Sequence, residues 1–372
     1  MLKAKYKTLT FSGMQKQRIQ SIDILRGITI AAMMLVNNPG TWGSVYAPFL
    51  HAPWHGYTPT DLVFPFFLFI VGCSIAFAYR NRKPSPEVYK KITVRTLKLV
   101  ALGIFLGAFT LSFPFFKDWA EIRLPGVLQR IGLAFFFAAI IALNANWKVI
   151  IGVIAALLLG YWGIMGFLPL PDGSSPTFER APNNWAMYFD KMVLGSHTWQ
   201  PDYDPEGLLS TIPSTATALI GVLAGRFFLA KDTGGKTMKL AAAGVVLLVV
   251  GHLWDFAFPI NKALWSSSFV LVTAGWALLC LSLIYYVTDV KGLSVGETFK
   301  RVGANALILY FLSSFISKIF GMTGLHGWLY ENIYVHDFMA AKLSSLLYGL
   351  SVMGFYILLG LWLYRRKIFV KV

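Results

Sequence analysis

Two histidines, a tryptophan and a carboxylate fall within the eleven residues from His51 to Asp61, in the order His51, Trp54, His55, Asp61. Directly after them comes Leu62-Val-Phe-Pro-Phe-Phe-Leu-Phe-Ile-Val71, a run suited to hydrocarbon. Titratable groups are costly at the mouth of a membrane span and mark functional sites there. An imidazole, with an unperturbed pKa of about 6.5, accepts and returns protons near neutral pH. Trp54 offers a pocket wall, and Asp61 orients an imidazole if the loop folds back on itself. His55 is a rival base, and spacing alone does not choose between the two histidines. The plainer reading of either is a loop side chain bonded to backbone or water.

Other polar residues stand at the edges of apolar runs. Asn37, in Val36-Asn-Asn38-Pro-Gly, lies fourteen residues before His51. Its amide suits an oxygen that gains charge in a transition state, or simply ends a helix ahead of Pro39 and Gly40. Arg130 sits with Gln129 inside an apolar run, and a guanidinium there needs a phosphate or carboxylate partner. Arg95, Arg226 and Arg301 lie nearer the other ends of their runs. They snorkel or hold the phosphates of a nucleotide-bearing donor. Asn261-Lys262-Ala-Leu-Trp265-Ser is a further polar entry to an apolar run, with helix capping as its plainer role. No GxxxxGK[ST], HExxH, strand-linked GxSxG elbow or strand-linked GxGxxG pattern occurs, which argues against an ATPase, serine hydrolase, zinc protease or dehydrogenase.

These groups have to be positioned by membrane helices. The chain has 372 residues, 56% hydrophobic and 13% charged, with a mean hydropathy of +0.60. Soluble domains carry about 25% charged residues, so the expected fold is an all-α polytopic transmembrane bundle. Ten apolar runs qualify, near 22–38, 62–79, 92–113, 124–143, 147–168, 208–230, 239–257, 264–287, 301–320 and 342–364, giving about ten or eleven transmembrane helices. Residues 1–20 form a basic cytoplasmic segment, 21–367 a single membrane domain, and 368–372 a tail. The first run lacks a small-residue cleavage site and is expected to be a retained helix. In it, Asp23 and Arg26 are spaced to pair on one face.

The net charge of +16 is spread over short Lys and Arg clusters between the runs, which speaks for topology and against nucleic acid. Lys3, Lys5, Lys7, Lys16, Arg18, Arg80, Arg82, Lys83, Lys231, Lys236, Arg365 and Arg366 then fall on one face, the cytoplasmic one, with both termini inside. Loops 38–61 and 321–341 contain no Lys or Arg. All six histidines, His51, His55, His197, His252, His326 and His336, fall at the outer ends. The two cysteines, Cys73 and Cys280, lie in apolar runs, so neither a disulfide framework nor a metal site is expected. The long outer loop 169–207 carries Asp190, Asp204 and Glu206 among Trp185, Tyr188, Trp199 and Tyr203. Carboxylates among rings suit a sugar or a cation, and the bland alternative is an aromatic belt with solvated acids.

Several of these stretches together resemble one family. They are Ser21-Ile-Asp-Ile-Leu-Arg-Gly27, Val36-Asn37, His51-Ala-Pro-Trp-His-Gly56, Asp61-Leu-Val-Phe-Pro65, Gly126-Val-Leu-Gln-Arg130, Tyr203-Asp-Pro-Glu-Gly207 and Pro259-Ile-Asn-Lys-Ala-Leu-Trp265. The chain resembles the catalytic membrane domain of heparan-α-glucosaminide N-acetyltransferase and its bacterial relatives. The resemblance implies an enzyme that moves acetyl from acetyl-CoA to an amino sugar, in a bacterial inner membrane and as a homodimer. It favours His51 over His55 as the active-site histidine and points to Asn37 beside it. Asp61 is expected to orient the ring. Arg130, Gln129, Asn261, Lys262 and Trp265 are the expected acetyl-CoA contacts. Trp54, His55, Asp204 and Glu206 are expected to meet the acceptor, free glucosamine or a glucosamine end of a periplasmic glycan. The rival is a transporter of sugars or cations in which the same polar residues line a path and no bond is made.

Overall fold

A computed structural model describes residues 19–230 and 234–370. The basic cluster before residue 19, Lys231, and the last two residues of the tail lie outside the described residues. The architecture is helical: α1 (Gln20–Val36), α2 (Val63–Tyr79), α3 (Pro86–Ala108), α4 (Val127–Asn144), α5 (Trp147–Phe167), α6 (Trp185–Leu194), α7 (Thr211–Leu229), α8 (Lys236–Asp255), α9 (Ser267–Tyr285), α10 (Glu297–Gly303), α11 (Ala306–Met322), α12 (Leu325–Leu329) and α13 (Ala341–Arg365).

A helix stands at each of the ten expected places. Among the described residues, seven are long and apolar enough to cross a membrane, or eight if α10 and α11, bent by 75° at their junction, count as one span. The other two are α1 and α3. The first has only 17 residues, and the second carries Glu87, Lys90, Lys91, Arg95 and Lys98 between its start and its middle residues. The bundle is thus polytopic and all-α, as the composition requires.

Small residues set how closely the helices approach, since lipid supplies no hydrophobic drive for helices to associate. A Cβ on Gly72 of α2 would lie 1.8 Å from the Ala218 carbonyl oxygen of α7, and one on Gly221 would lie 2.0 Å from Phe69 O. The α2–α7 pair is therefore in backbone contact at the centre of the bundle. Replacing Gly72 by valine has to push α7 away. We expect such a variant to lose its sharp melting transition in detergent, whereas valine at Gly152, where a Cβ meets nothing within 4 Å, leaves it unchanged.

The connections interlock at both ends. At one, Gly56 N donates to Ile260 O (2.7 Å), Leu124 N to His197 O (3.0 Å) and Gly40 N to Ser345 O (3.2 Å). At the other, Asp289 accepts from the Gln20 and Ser21 amides and so caps α1, while Asn305 donates to Ile368 O. All six histidines gather at the first end. The expected Asp23–Arg26 pair forms at 2.9 Å, and Arg26 also donates to Ser74 Oγ. Loop 169–207 carries α6, whose Asp190 accepts from the Leu208 amide at the start of α7. Burial raises that carboxyl to about 6.

Candidate active site

Thr58-Pro-Thr-Asp61 forms a capping box that opens the short helical turn leading into α2. That turn, rather than α2 itself, positions the carboxylate. Asp61 is fully buried and accepts from Ala52 N (3.0 Å), Thr58 N (2.9 Å) and Thr58 Oγ1 (3.1 Å). It also accepts from His51 Nδ1, at 2.6 Å. The ring proton therefore sits on Nδ1, donated to Asp61, and Nε2 keeps its lone pair. A carboxylate that fixes the tautomer and orientation of an imidazole prepares a base or a nucleophile.

Gly56 brings a second segment to this pair. Its φ of +90° permits the sharp turn after His55, and the turn runs alongside residues 260–261. Lys262, next in the chain, places Nζ 2.9 Å from His51 Nδ1, 3.1 Å from Nε2 and 3.6 Å from Asp61 Oδ1. Because the Nδ1 proton is committed to Asp61, Nε2 is the ring nitrogen that keeps a lone pair beside the ammonium. Burial draws Lys262 below the ordinary lysine range, against the opposing pull of Asp61 and Glu206.

His51, Asn37, Trp54 and Lys262 border one cavity of about 400 Å³, which Trp199, Tyr203, Arg123 and Glu206 help to enclose. The two asparagines after α1 divide their work. Asn38 is buried, donates to Met34 O (2.7 Å) and accepts from Ser317 of α11. Asn37 is exposed to the cavity, and its side-chain amide makes no hydrogen bond among the described residues. Alanine at Asn37 is therefore expected to leave the melting temperature in place and to lower transfer by about 10²–10³-fold, the range for loss of one oxyanion donor. Alanine at Asn38 is expected to do the reverse, with a stability loss of about 1–3 kcal/mol.

Arg123, which the sequence did not single out, donates to Asp204 from Nε (2.7 Å) and Nη2 (2.5 Å), and to Glu206 (2.5 Å). These two carboxylates drive its ionisation well above the ordinary arginine range, against the cost of burial. Asp204 is buried and also takes the Trp199 and Glu206 amides, so it shapes the loop, while Glu206 borders the cavity. Nothing in the sequence sets Arg123 apart from Lys117, Arg180 and Lys191, which also stand in the outer loops. Trp54, Trp199 and Tyr203 form an edge-to-face chain, with ring centroids 5.6 Å and 5.8 Å apart. His55 bonds Glu179 and Asn261 and stays off the cavity.

The expected donor residues separate. Lys262 borders the cavity. Arg130 is buried, donates to Gly207 O (2.8 Å) and Ser210 Oγ (2.6 Å), and lies over Trp265. Gln129 donates to Leu124 O, Asn261 receives the Leu264 amide, and Trp265 donates to Thr217 Oγ1. Trp265 holds a φ of +52°, a strained setting for a non-glycine residue, inside a fully buried site that fixes the Asn261–Ser266 turn. None of these four borders the His51 cavity, and their bonds brace the helix entries around it.

A second cavity, about 450 Å³, opens toward the other end and is bordered by Arg26, Ser74, Arg95, Phe67 and Ile131. Phe67 and Ile131 follow Phe64 and Val127 of the first cavity by about one helical turn on α2 and α4. An adjoining cleft adds Arg80 and Arg82. Arg95 lies over the Phe135 ring at 4.5 Å, and its Nε has no partner among the described residues. Among the described residues no group of three His, Cys, Asp or Glu side chains is arranged to hold a metal.

Residues 18–253 match the family model described as heparan-alpha-glucosaminide N-acetyltransferase, catalytic. The chain belongs to this family. The match takes in Asn37, His51, Asp61, Arg123, Asp204 and Glu206, and stops short of Lys262. Across 95% of its length the chain is 30% identical to the heparan-alpha-glucosaminide N-acetyltransferase of Homo sapiens and 27% identical to that of Mus musculus. It spans 60% of the length of each of these relatives.

Proposed function

We propose that the protein is a membrane acetyltransferase that moves an acetyl group from acetyl-CoA to the amine of glucosamine, or of a glucosamine-terminated glycan, on the extracytoplasmic side. The observation that carries this reading is the Asp61-oriented His51, with Nε2 free of a proton, at a cavity shared with Asn37. Family membership supports the class of reaction, since the relatives are named for N-acetyl transfer.

In this reading the acetyl carbonyl lies beside Asn37, whose amide donates to the oxyanion. His51 Nε2 attacks the thioester carbon, forming acetyl-histidine, and Asp61 stabilises the positive ring. The Trp54, Trp199 and Tyr203 rings receive the sugar face, and Glu206 meets its hydroxyl or ammonium groups. The donor lies along α2 and α4, its phosphates at Arg26 and Arg95 and its acetyl end at His51. This revises the donor set expected from the sequence: Arg130, Gln129, Asn261 and Trp265 act by bracing, and Lys262 acts beside the histidine. The positive-inside pattern supports a cytoplasmic face at the Arg26 end, with the histidine facing the periplasm of a bacterial inner membrane. A homodimer is part of the same proposal and is tested by light scattering of the detergent-solubilised protein.

The testing experiment is mass spectrometry of products from purified protein, acetyl-CoA and a panel of amino sugars. N-acetylated sugar and free CoA in equal amounts support the reading. No acetylated product with any acceptor would overturn it.

A further inference from the structure

The geometry of His51 leaves the second half of the transfer without an obvious base. Once Nε2 carries the acetyl group, the ring has no lone pair left, because Nδ1 holds the proton donated to Asp61. Asp61 is occupied as well, by Ala52, Thr58 and the ring. An amino-sugar acceptor near neutral pH is largely an ammonium ion, which has no lone pair until it loses a proton. The titratable side chains around the reacting atom are His51, Asp61, Lys262, Arg123, Glu206 and Tyr203; Glu206 is tied to Arg123 at 2.5 Å, and burial pushes the Tyr203 phenol up, so it keeps its proton. Lys262 is left, 3.1 Å from Nε2.

We propose that Lys262 is a catalytic proton-exchange residue that protonates the departing thiolate and then deprotonates the acceptor's ammonium. The role rests on the transfer reading above, in its acetyl-histidine form. In the first step Nε2 bonds to the thioester carbon and the C–S bond breaks. Sulfur leaves with the electron pair and takes a proton from the Lys262 ammonium, giving free thiol and a neutral amine. The attacked carbon is one bond from Nε2 and the sulfur two, both within reach of Nζ. In the second step the neutral amine takes a proton from the acceptor ammonium. The freed amine attacks the acetyl carbon, the C–Nε2 bond breaks with its electrons returning to the ring, and the surplus amide proton leaves through Nε2 to water. One proton is released per turnover, as the overall reaction requires.

Burial favours the neutral amine that this exchange needs. A thiolate is a tolerable leaving group near neutral pH, the unperturbed thiol pKa being about 8.5, so the larger demand falls on the second step. That asymmetry gives the test, made on the full-length protein in detergent with two acceptors. One is glucosamine; the other is hydroxylamine, which is already uncharged at neutral pH. For Lys262→Met we expect transfer to glucosamine to fall about 100-fold, within the range for a lost acid–base group. Transfer to hydroxylamine, and first-turnover release of CoA thiol, are expected to fall less than about 5-fold; these also report that the variant is folded. Lys262→Arg keeps the charge but cannot give up its proton, so it is expected to behave like Lys262→Met. Equal losses with both acceptors, or recovery of glucosamine transfer in Lys262→Arg, would overturn the proposal. Wild-type protein that acetylates neither acceptor would instead overturn the reading on which it rests.

Discussion

Alanine at His51 is expected to lower acetyl transfer by about 10³-fold or more while the protein still purifies as a monodisperse helical species. The loss is large because this one side chain supplies the reacting atom, and general base or nucleophilic roles are worth about 10²–10⁴-fold. The fold is expected to survive because nearly half of the His51 side chain is exposed (45%), and its named contacts are to Asp61 and Lys262 alone. Alanine at His55 is the control. His55 clamps the turn to Glu179 and Asn261 away from the cavity, so a modest loss of activity through loosening of the loop is expected. The check is kcat and KM for both variants with acetyl-CoA and glucosamine. A His51→Ala variant within tenfold of wild type would remove the histidine from the chemistry.

Asparagine at Asp61 combines a catalytic and a structural penalty. The carboxylate accepts from four donors with no solvent exposure: His51 Nδ1, two backbone amides and the Thr58 hydroxyl. An amide keeps one acceptor oxygen and turns an NH₂ group toward donors. At least one buried donor is left unsatisfied, at about 1–3 kcal/mol, and the capping box at the entry to α2 weakens. The ring also loses the partner that holds the proton on Nδ1, so Nε2 no longer reliably carries the lone pair. We expect activity to fall about 10²-fold or more together with a lower melting temperature. Glutamate at the same position keeps the charge but not the geometry, and is expected to keep more stability than activity. An Asp61→Asn variant with wild-type rate and stability would contradict the assigned role.

Local features of the site were legible in the sequence. His51 and Asp61 lie within one short segment, and Thr58 and Asp61 carry the capping-box spacing that folds it back. That a helix stands at each of the ten apolar runs was legible as well. Among the described residues, up to eight of these are long and apolar enough to span a membrane, a setting in which an apolar run has few other structures available to it. What the sequence hid was partnership across distance. Lys262 reaches His51 over 211 residues, through a backbone contact made possible by Gly56. From the sequence it read only as a cation at a helix entry, and phosphate binding was the natural inference. Arg130 is a second case of partnership across distance. An arginine inside an apolar run needs a partner, but nothing local reveals that the partners are Gly207 O and Ser210 Oγ, near the start of α7. Asn37 and Asn38 were interchangeable in the sequence. Only the packing of α11 against Asn38 shows which one is free to face the cavity. The bend between α10 and α11 carries no proline, and Gly303-Ala-Asn305 was not a sufficient signal for it.

The most direct test of acetyl transfer across the bilayer uses sealed vesicles containing the purified protein, with acetyl-CoA trapped inside and labelled glucosamine supplied outside. The account predicts labelled N-acetylglucosamine in the outer medium, CoA thiol appearing inside in equal amount, and no product when the vesicles carry His51→Ala protein. Labelled glucosamine accumulating unmodified inside, at the same rate with and without acetyl-CoA, would contradict the account and favour a transporter.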